Sequence, residues 1–180
     1  MKKKTPYTLE LHSHRFACWT AGRGASVKGC RFSVEQAKEF LEAAGFNRNF
    51  KLPSGEPTLR RVDAQHTSWR DRLIKVAKPL TGKPAVAAKL IAIYLKTRYV
   101  VGGDHRHPWV AHLHPPIDNL LLAKLGKIDY SKHGKEWKRF HRKGWSNLDT
   151  MDHGNAIKWI RDELKGKPLW AIEEYWPGHK

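Results

Sequence analysis

An amine becomes a nucleophile when part of it is held neutral, and a carboxylate beside it can accept its proton and steady a developing positive charge. Two residues of this chain have surroundings suited to those roles. Lys89 is the single charge in the run Pro84-Ala85-Val86-Ala87-Ala88-Lys89-Leu90-Ile91-Ala92-Ile93-Tyr94-Leu95. A helix over that run is apolar almost all round and therefore buried. The residues three and four positions away are Ala85, Val86, Ala92 and Ile93, so Lys89 has no polar stripe of its own. Desolvation there penalises the ammonium form and raises the fraction of free amine. The competing reading is a long stem that carries the charge from a core helix out to water. Asp118 follows Pro115-Pro116-Ile117 at the head of a second apolar stretch. It can serve simply as a helix cap, and the same anchored carboxylate suits a reaction with a cationic, sugar-like transition state.

The elements that must position this pair read as helices throughout. Residues 9–25 have apolar positions at Leu11, Phe16, Ala17, Trp19 and Ala21, with Gly22 and Gly24 loosening the end. Ser33 and Gln36 have the spacing of a capping box ahead of Ala37, Phe40, Leu41 and Ala44. Residues 46–62 read as a loop, and a third helix is expected from near Asp63 through Trp69 and Leu73 to Pro79. The Lys89 helix then has Thr81 as its cap, Pro84 in its first turn and Gly102-Gly103 as its end. A histidine-rich connection, 104–114, leads to a short helix over Ile117–Leu125. A long helix from Asp149 or Thr150 to Gly166 follows, and Leu169, Trp170, Ile172 and Trp176 are expected to dock a terminal helix on the core. No alternating strand pattern occurs. The expectation is a compact all-α protein of about seven helices, with residues 1–180 as a single domain.

Charge points to the partner. There are 34 Lys plus Arg against 17 Asp plus Glu, a net +17 and a pI near 10.1, the footprint of a nucleic-acid binder. The segment 126–146 interleaves Lys135, Lys138, Arg139, Arg142 and Lys143 with Tyr130, Trp137, Phe140 and Trp145. Its cations suit phosphate contact, while helical spacing turns the aromatics toward the core. A membrane partner is not expected, because no apolar run reaches about 18 residues and neither terminus is a basic amphipathic segment. Met1-Lys2-Lys3-Lys4 leads into no apolar h-region, and the two cysteines, Cys18 and Cys30, imply no disulfide framework. A cytoplasmic, nucleoid-associated monomer is the expectation.

The pattern Ala85-Val86-Ala87-Ala88-Lys89-Leu90-Ile91-Ala92-Ile93-Tyr94, followed by Pro115-Pro116-Ile117-Asp118, resembles the helix-hairpin-helix DNA glycosylases that remove 8-oxoguanine. It is most similar to the archaeal GO glycosylase branch and to small bacterial 8-oxoguanine glycosylase-like proteins. The likeness covers roughly residues 80–125, and the long connection between Lys89 and Asp118 suits that branch. The resemblance implies a helix-hairpin-helix fold, a double-stranded DNA partner with a flipped nucleotide, and a bifunctional glycosylase and AP lyase. Lys89 would be the Schiff-base nucleophile and Asp118 the carboxylate that activates it. The hairpin would hold DNA phosphates through Thr81, Gly82 and Lys83, although Leu80-Thr81-Gly82-Lys83-Pro84 has one glycine where the family has Gly-x-Gly. Two cysteines cannot ligate the iron–sulfur cluster of some relatives, so no cofactor is expected.

A flipped base needs stacking and edge contacts. The candidates are Phe16, Trp19 and Trp109 for stacking and Gln65, His112 and His114 for the base edge, with the helical spacing of Phe16 and Trp19 favouring the core. Two rival functions have their own residues. A metal-dependent nuclease would use Asp104, His105, His107, His112 and His114, or a zinc site at His12, Cys18 and Cys30. A non-catalytic nucleic-acid binder would need only the charge.

Overall fold

A computed structural model describes residues 6–104 and 106–179; the basic start Met1–Lys4 and His105 lie outside the described residues. Seven α-helices run, among the described residues, as α1 Leu9–Ala25, α2 Val34–Ala43, α3 Leu59–Val76, α4 Pro84–Leu95, α5 Asn119–Leu125, α6 Gly134–Lys143 and α7 Thr150–Leu164. Short 3₁₀ turns and one π turn, Lys96–Val101, connect them, and no strand occurs among the described residues. The protein is all-α, as its periodicity predicts.

The hydrophobic pattern fixes α4 at the centre. Ala85, Val86, Ala87 and Leu90 to Leu95 are all buried, and α4 packs on α1, α3 and α7. A helix with no solvent-facing stripe can be satisfied only by neighbours on every side. Tyr94 joins Phe46 and Trp69 in an aromatic knot, with ring centroids 5.5 and 5.8 Å from Phe46. One cluster of buried side chains extends from Ala17 on α1 to Ile172 near the C-terminus.

Caps explain the boundaries. Ser33 and Gln36 make the expected capping box on α2, and Asp149 with Asp152 makes another on α7. The third helix begins four residues earlier than its apolar pattern suggests. The Thr58 hydroxyl accepts from the Arg61 amide, and the Arg61 guanidinium donates back to the Ser54 and Glu56 carbonyls, so polar groups start this helix. Thr81 does not cap α4. It closes the 3₁₀ turn Lys78–Leu80, and Gly82, at φ +70, turns the chain so that Lys83 precedes Pro84. The helical path of α4 continues through the π turn to Val101 and ends at Gly102, as the Gly102-Gly103 pair predicts.

The glycines of α1 serve contact and not termination. A Cβ on Gly22 would meet the Ala37 Cβ at 3.0 Å, and one on Gly24 would meet the Ile93 Cδ1 at 2.6 Å. Both allow neighbouring helices to approach α1 closely. Phe16 and Trp19, which helical spacing assigns to the core, are instead 53% and 51% exposed. The buried side of α1 is made of smaller residues, His14, Ala17, Cys18, Ala21 and Gly22, and that leaves the two large rings outside. Near the C-terminus Leu169 and Ile172 dock as expected, whereas Trp170 remains 40% exposed.

Candidate active site

Lys89 sits in the middle of α4 with its side chain only 10% exposed. Its amine lies 3.4 Å from Asp118 Oδ2 and 4.2 Å from the centroid of the Trp145 ring. Burial pushes the Lys89 ammonium below its ordinary range, Asp118 opposes that, and the nearby charge of Lys96 adds to the lowering. The stem does not carry this charge clear of the protein.

Asp118 is the N-cap of α5. Its Oδ1 accepts from the Leu121 amide at 3.0 Å, and its Oδ2 accepts from the indole Nε1 of Trp176 at 3.1 Å. One oxygen therefore anchors the carboxylate to the start of a helix while the other faces the amine. The preceding prolines hold the chain extended into that cap, which has φ −141 and ψ 177. The Pro-Pro-Ile-Asp sequence is thus a positioning device for one carboxylate.

The pair opens onto a cleft of about 320 Å³. Thr20 and Gly24 of α1 form one wall, Ile93 and Lys96 extend the line of Lys89 along α4, and Pro116, Glu173 and Trp176 close the far side. Lys96 forms an ion pair with Glu173 and lies 5.6 Å from the Trp176 ring centroid. The cleft combines an amine with a lowered proton affinity, a carboxylate within reach and apolar walls. An amine held partly neutral beside a carboxylate is chemically suited to forming an imine with a carbonyl carbon. No family model, no curated protein and no solved structure matches this chain.

Several candidate residues stand elsewhere. Trp109 is fully buried and donates its indole N–H to the Gly55 carbonyl at 3.0 Å, so it belongs to the core. Gln65 and His112 are half-buried and do not line the cleft. His114 lies on the opposite side of α4, where it lines a cavity of about 120 Å³ with His66, His153 and Arg70. Its Nε2 meets Asp63 at 2.8 Å, and its ring stacks on His66 with centroids 3.8 Å apart. Phe16 and Trp19 stand on the surface of α1, Phe16 one turn before Thr20 and Trp19 immediately before it.

The cationic candidates are mostly in water. Thr81 and Gly82 are exposed and Lys83 half-buried in the turn before α4, while Lys135, Lys138 and Arg142 are exposed on α6. Two differ. Lys143 is tied to Asp149 and Asp152 at the start of α7, and Arg139 approaches Asp152 at 4.0 Å. Among the described residues no group of three or more His, Cys, Asp or Glu is placed to hold a metal ion. His107 accepts from the Trp109 amide, and Cys18 and Cys30 have separate partners in His14 and the Pro79 carbonyl. No described helix is long and apolar enough to cross a membrane.

Sequence reasoning missed Trp145, Lys96, Glu173 and Trp176 as members of this site. Ile93 and Lys96 follow Lys89 by four and seven residues, a helical spacing that does carry the signal. The contact of Trp145 and Trp176 with this pair has no counterpart in local sequence.

Proposed function

We propose that this chain is a DNA glycosylase with associated AP-lyase activity, using Lys89 as nucleophile and Asp118 as its carboxylate partner. The observation that carries the reading is the 3.4 Å approach of a buried amine to a capped carboxylate at the back of an open cleft. A helix-hairpin-helix arrangement would fit the turn at Gly82, which leads from α3 into α4, and an oxidised purine is the substrate that the resemblance implies.

In this reading the net charge of +17 draws the chain onto duplex DNA. Thr81, Gly82 and Lys83 contact phosphates from the turn before α4, and the cations of α6 extend the track on the side that leads into Trp145. A modified nucleotide is flipped into the cleft, and its base slides between Trp176 and the wall of Ile93 and Pro116. The neutral Lys89 amine attacks C1′ while the glycosidic electrons leave with the base, which takes up the amine proton, and Asp118 stays ionised, orienting the amine and steadying the positive charge that develops at the sugar. Ring opening gives an imine between Lys89 and C1′. Removal of a C2′ proton then expels the 3′ phosphate, which nicks the strand.

Borohydride reduces such an imine to a stable amine and fixes protein to DNA. A duplex carrying a modified or abasic site should cross-link to the parent protein and not to Lys89→Gln. Equal cross-linking by the two would remove Lys89 from the chemistry. No nick and no cross-link with any modified duplex, together with tight DNA binding, would leave a non-catalytic binder, which the charge alone supports.

A further inference from the structure

The rings of Phe16 and Trp19 stack on each other, with centroids 5.8 Å apart and planes 23° from parallel, yet each residue remains about half exposed. This is not for want of a core, since Trp69, Trp109, Trp137, Phe46 and Phe140 are all fully buried. Exposed apolar surface of this kind costs solubility, and a joined pair of rings marks an interaction site more strongly than single exposed residues do.

Two further observations identify the partner. Phe16 lies one helical turn before Thr20 and two before Gly24, the α1 residues that wall the Lys89 cleft, so the pair stands beside its rim. Arg15 adjoins Phe16 and Arg23 lies one turn after Trp19 on α1, Lys28 and Arg31 follow in the loop after it, and all four cations are exposed, with Glu10 and Glu35 the nearest carboxylates in sequence. A surface that is both aromatic and cationic fits a polyanion with flat apolar faces, and that describes a nucleic-acid strand with an unstacked base. A second copy of this chain is a poor occupant, because a symmetric contact would bring the same four cations against themselves.

We infer that the Phe16–Trp19 pair is a stacking platform for an unpaired nucleobase of the DNA strand that feeds the Lys89 cleft. The direction of the strand rests on the glycosylase reading; the platform itself rests on the aromatic pair and its charge. The base it receives is a neighbour of the flipped nucleotide, which occupies the cleft, so the two sites bind different bases of one strand.

The test uses the full chain and an oligonucleotide with a stable abasic analogue next to 2-aminopurine, whose emission falls when it stacks. The parent should quench the probe. The double variant Phe16→Ala/Trp19→Ala should leave it bright and bind roughly tenfold or more weakly, while Trp19→Phe retains most of both effects. Both side chains are exposed, so circular dichroism of the variants should match the parent. Equal affinity and quenching in the double variant would overturn the platform. So would a parent dimer that the double variant dissolves with DNA affinity unchanged. Borohydride trapping at saturating abasic DNA separates the two ideas: a parent that never traps but loses oligonucleotide affinity on substitution keeps the platform and loses the glycosylase.

Discussion

Two clusters of titratable side chains flank α4, and they are built differently. On one side Asp63 is held by His114 at 2.8 Å and by both terminal nitrogens of Arg161, at 2.9 and 2.6 Å. On the other, Lys89 has one long hydrogen bond of 3.4 Å to Asp118 and the face of Trp145. On the histidine side the ionised pair, Asp63 and Arg161, meets at short distances and the Asp63 side chain is 45% exposed, while the buried His114 Nδ1 and Arg161 Nε have no hydrogen-bond partner among the described residues. The lysine side keeps its amine underbonded and its cleft open. Buried titratable groups are common to both, so burial alone does not tell the two sides apart; the length of the ion pair does.

The contrast can be broken most severely at Lys89. Lys89→Gln should abolish strand cleavage and borohydride cross-linking while leaving the thermal transition nearly unchanged or raised, because a buried charge is removed. A collapse of the fold would mean that the amine is structural.

Asp118→Asn comes next. Asparagine caps helices as well as aspartate does, so α5 should survive, whereas loss of the carboxylate should slow the chemical step by roughly 10²- to 10⁴-fold with DNA affinity retained. Single-turnover rates equal to the parent would reduce Asp118 to a cap.

On the histidine side Asp63→Asn should act in the reverse sense. It leaves the buried His114 and Arg161 donors poorly matched, and chemical denaturation should report a loss of about 1–3 kcal/mol. Cross-linking per folded molecule should not change. A large loss of chemistry with full stability would show that the two sides of α4 are coupled.

The dependence of stability on pH leaves behaviour at neutral pH untouched and tests the histidine side alone. Burial pushes His66 well below its usual range, and it lowers His114 against the opposing pull of Asp63. Burial, with the charges of His114 and Arg70, pushes His153 down to about 3 from an ordinary 6.5. Burial works to raise Asp63, but its hydrogen bonds to His114 and Arg161 hold it well below the usual carboxylate range. For the histidines the unfolded chain is then the better proton acceptor. Their contribution is fully present above pH 6.5 and is lost as pH falls from there toward about 3, and the carboxylate of Asp63 adds to the loss below its ordinary 3.8. The melting temperature should decline over that interval, and His153→Asn should make the decline shallower by about one proton. A flat profile from pH 7 to pH 4 would contradict the neutral histidine cluster.

What could be read without coordinates followed from local pattern. The helices of α1, α2, α4 and α7 are legible because periodicity and side-chain caps are properties of neighbouring residues, and these residues are within four positions of one another. Lys89 is legible for the same reason: an apolar run leaves one charge no local route to water. Asp118 is legible as a cap, since a carboxylate after Pro-Pro-Ile stands at a helix start whatever surrounds it. The start of α3 was hidden because polar groups, Thr58 and Arg61, set it and not apolar ones.

Tertiary structure decided the rest. Only folding brings Asp118 to Lys89 across 29 residues, and Trp176 to Asp118 across 58. Only folding sends His114 to Asp63 and away from the cleft, and leaves Phe16 and Trp19 outside a helix whose small residues face inward. A sequence states which side chains are costly to bury or to expose. Which of those costs are offset, and by which partners, is fixed when distant segments pack, and here it separates a histidine cluster built on the short Asp63–Arg161 pair from the longer Lys89–Asp118 pair beside its cleft.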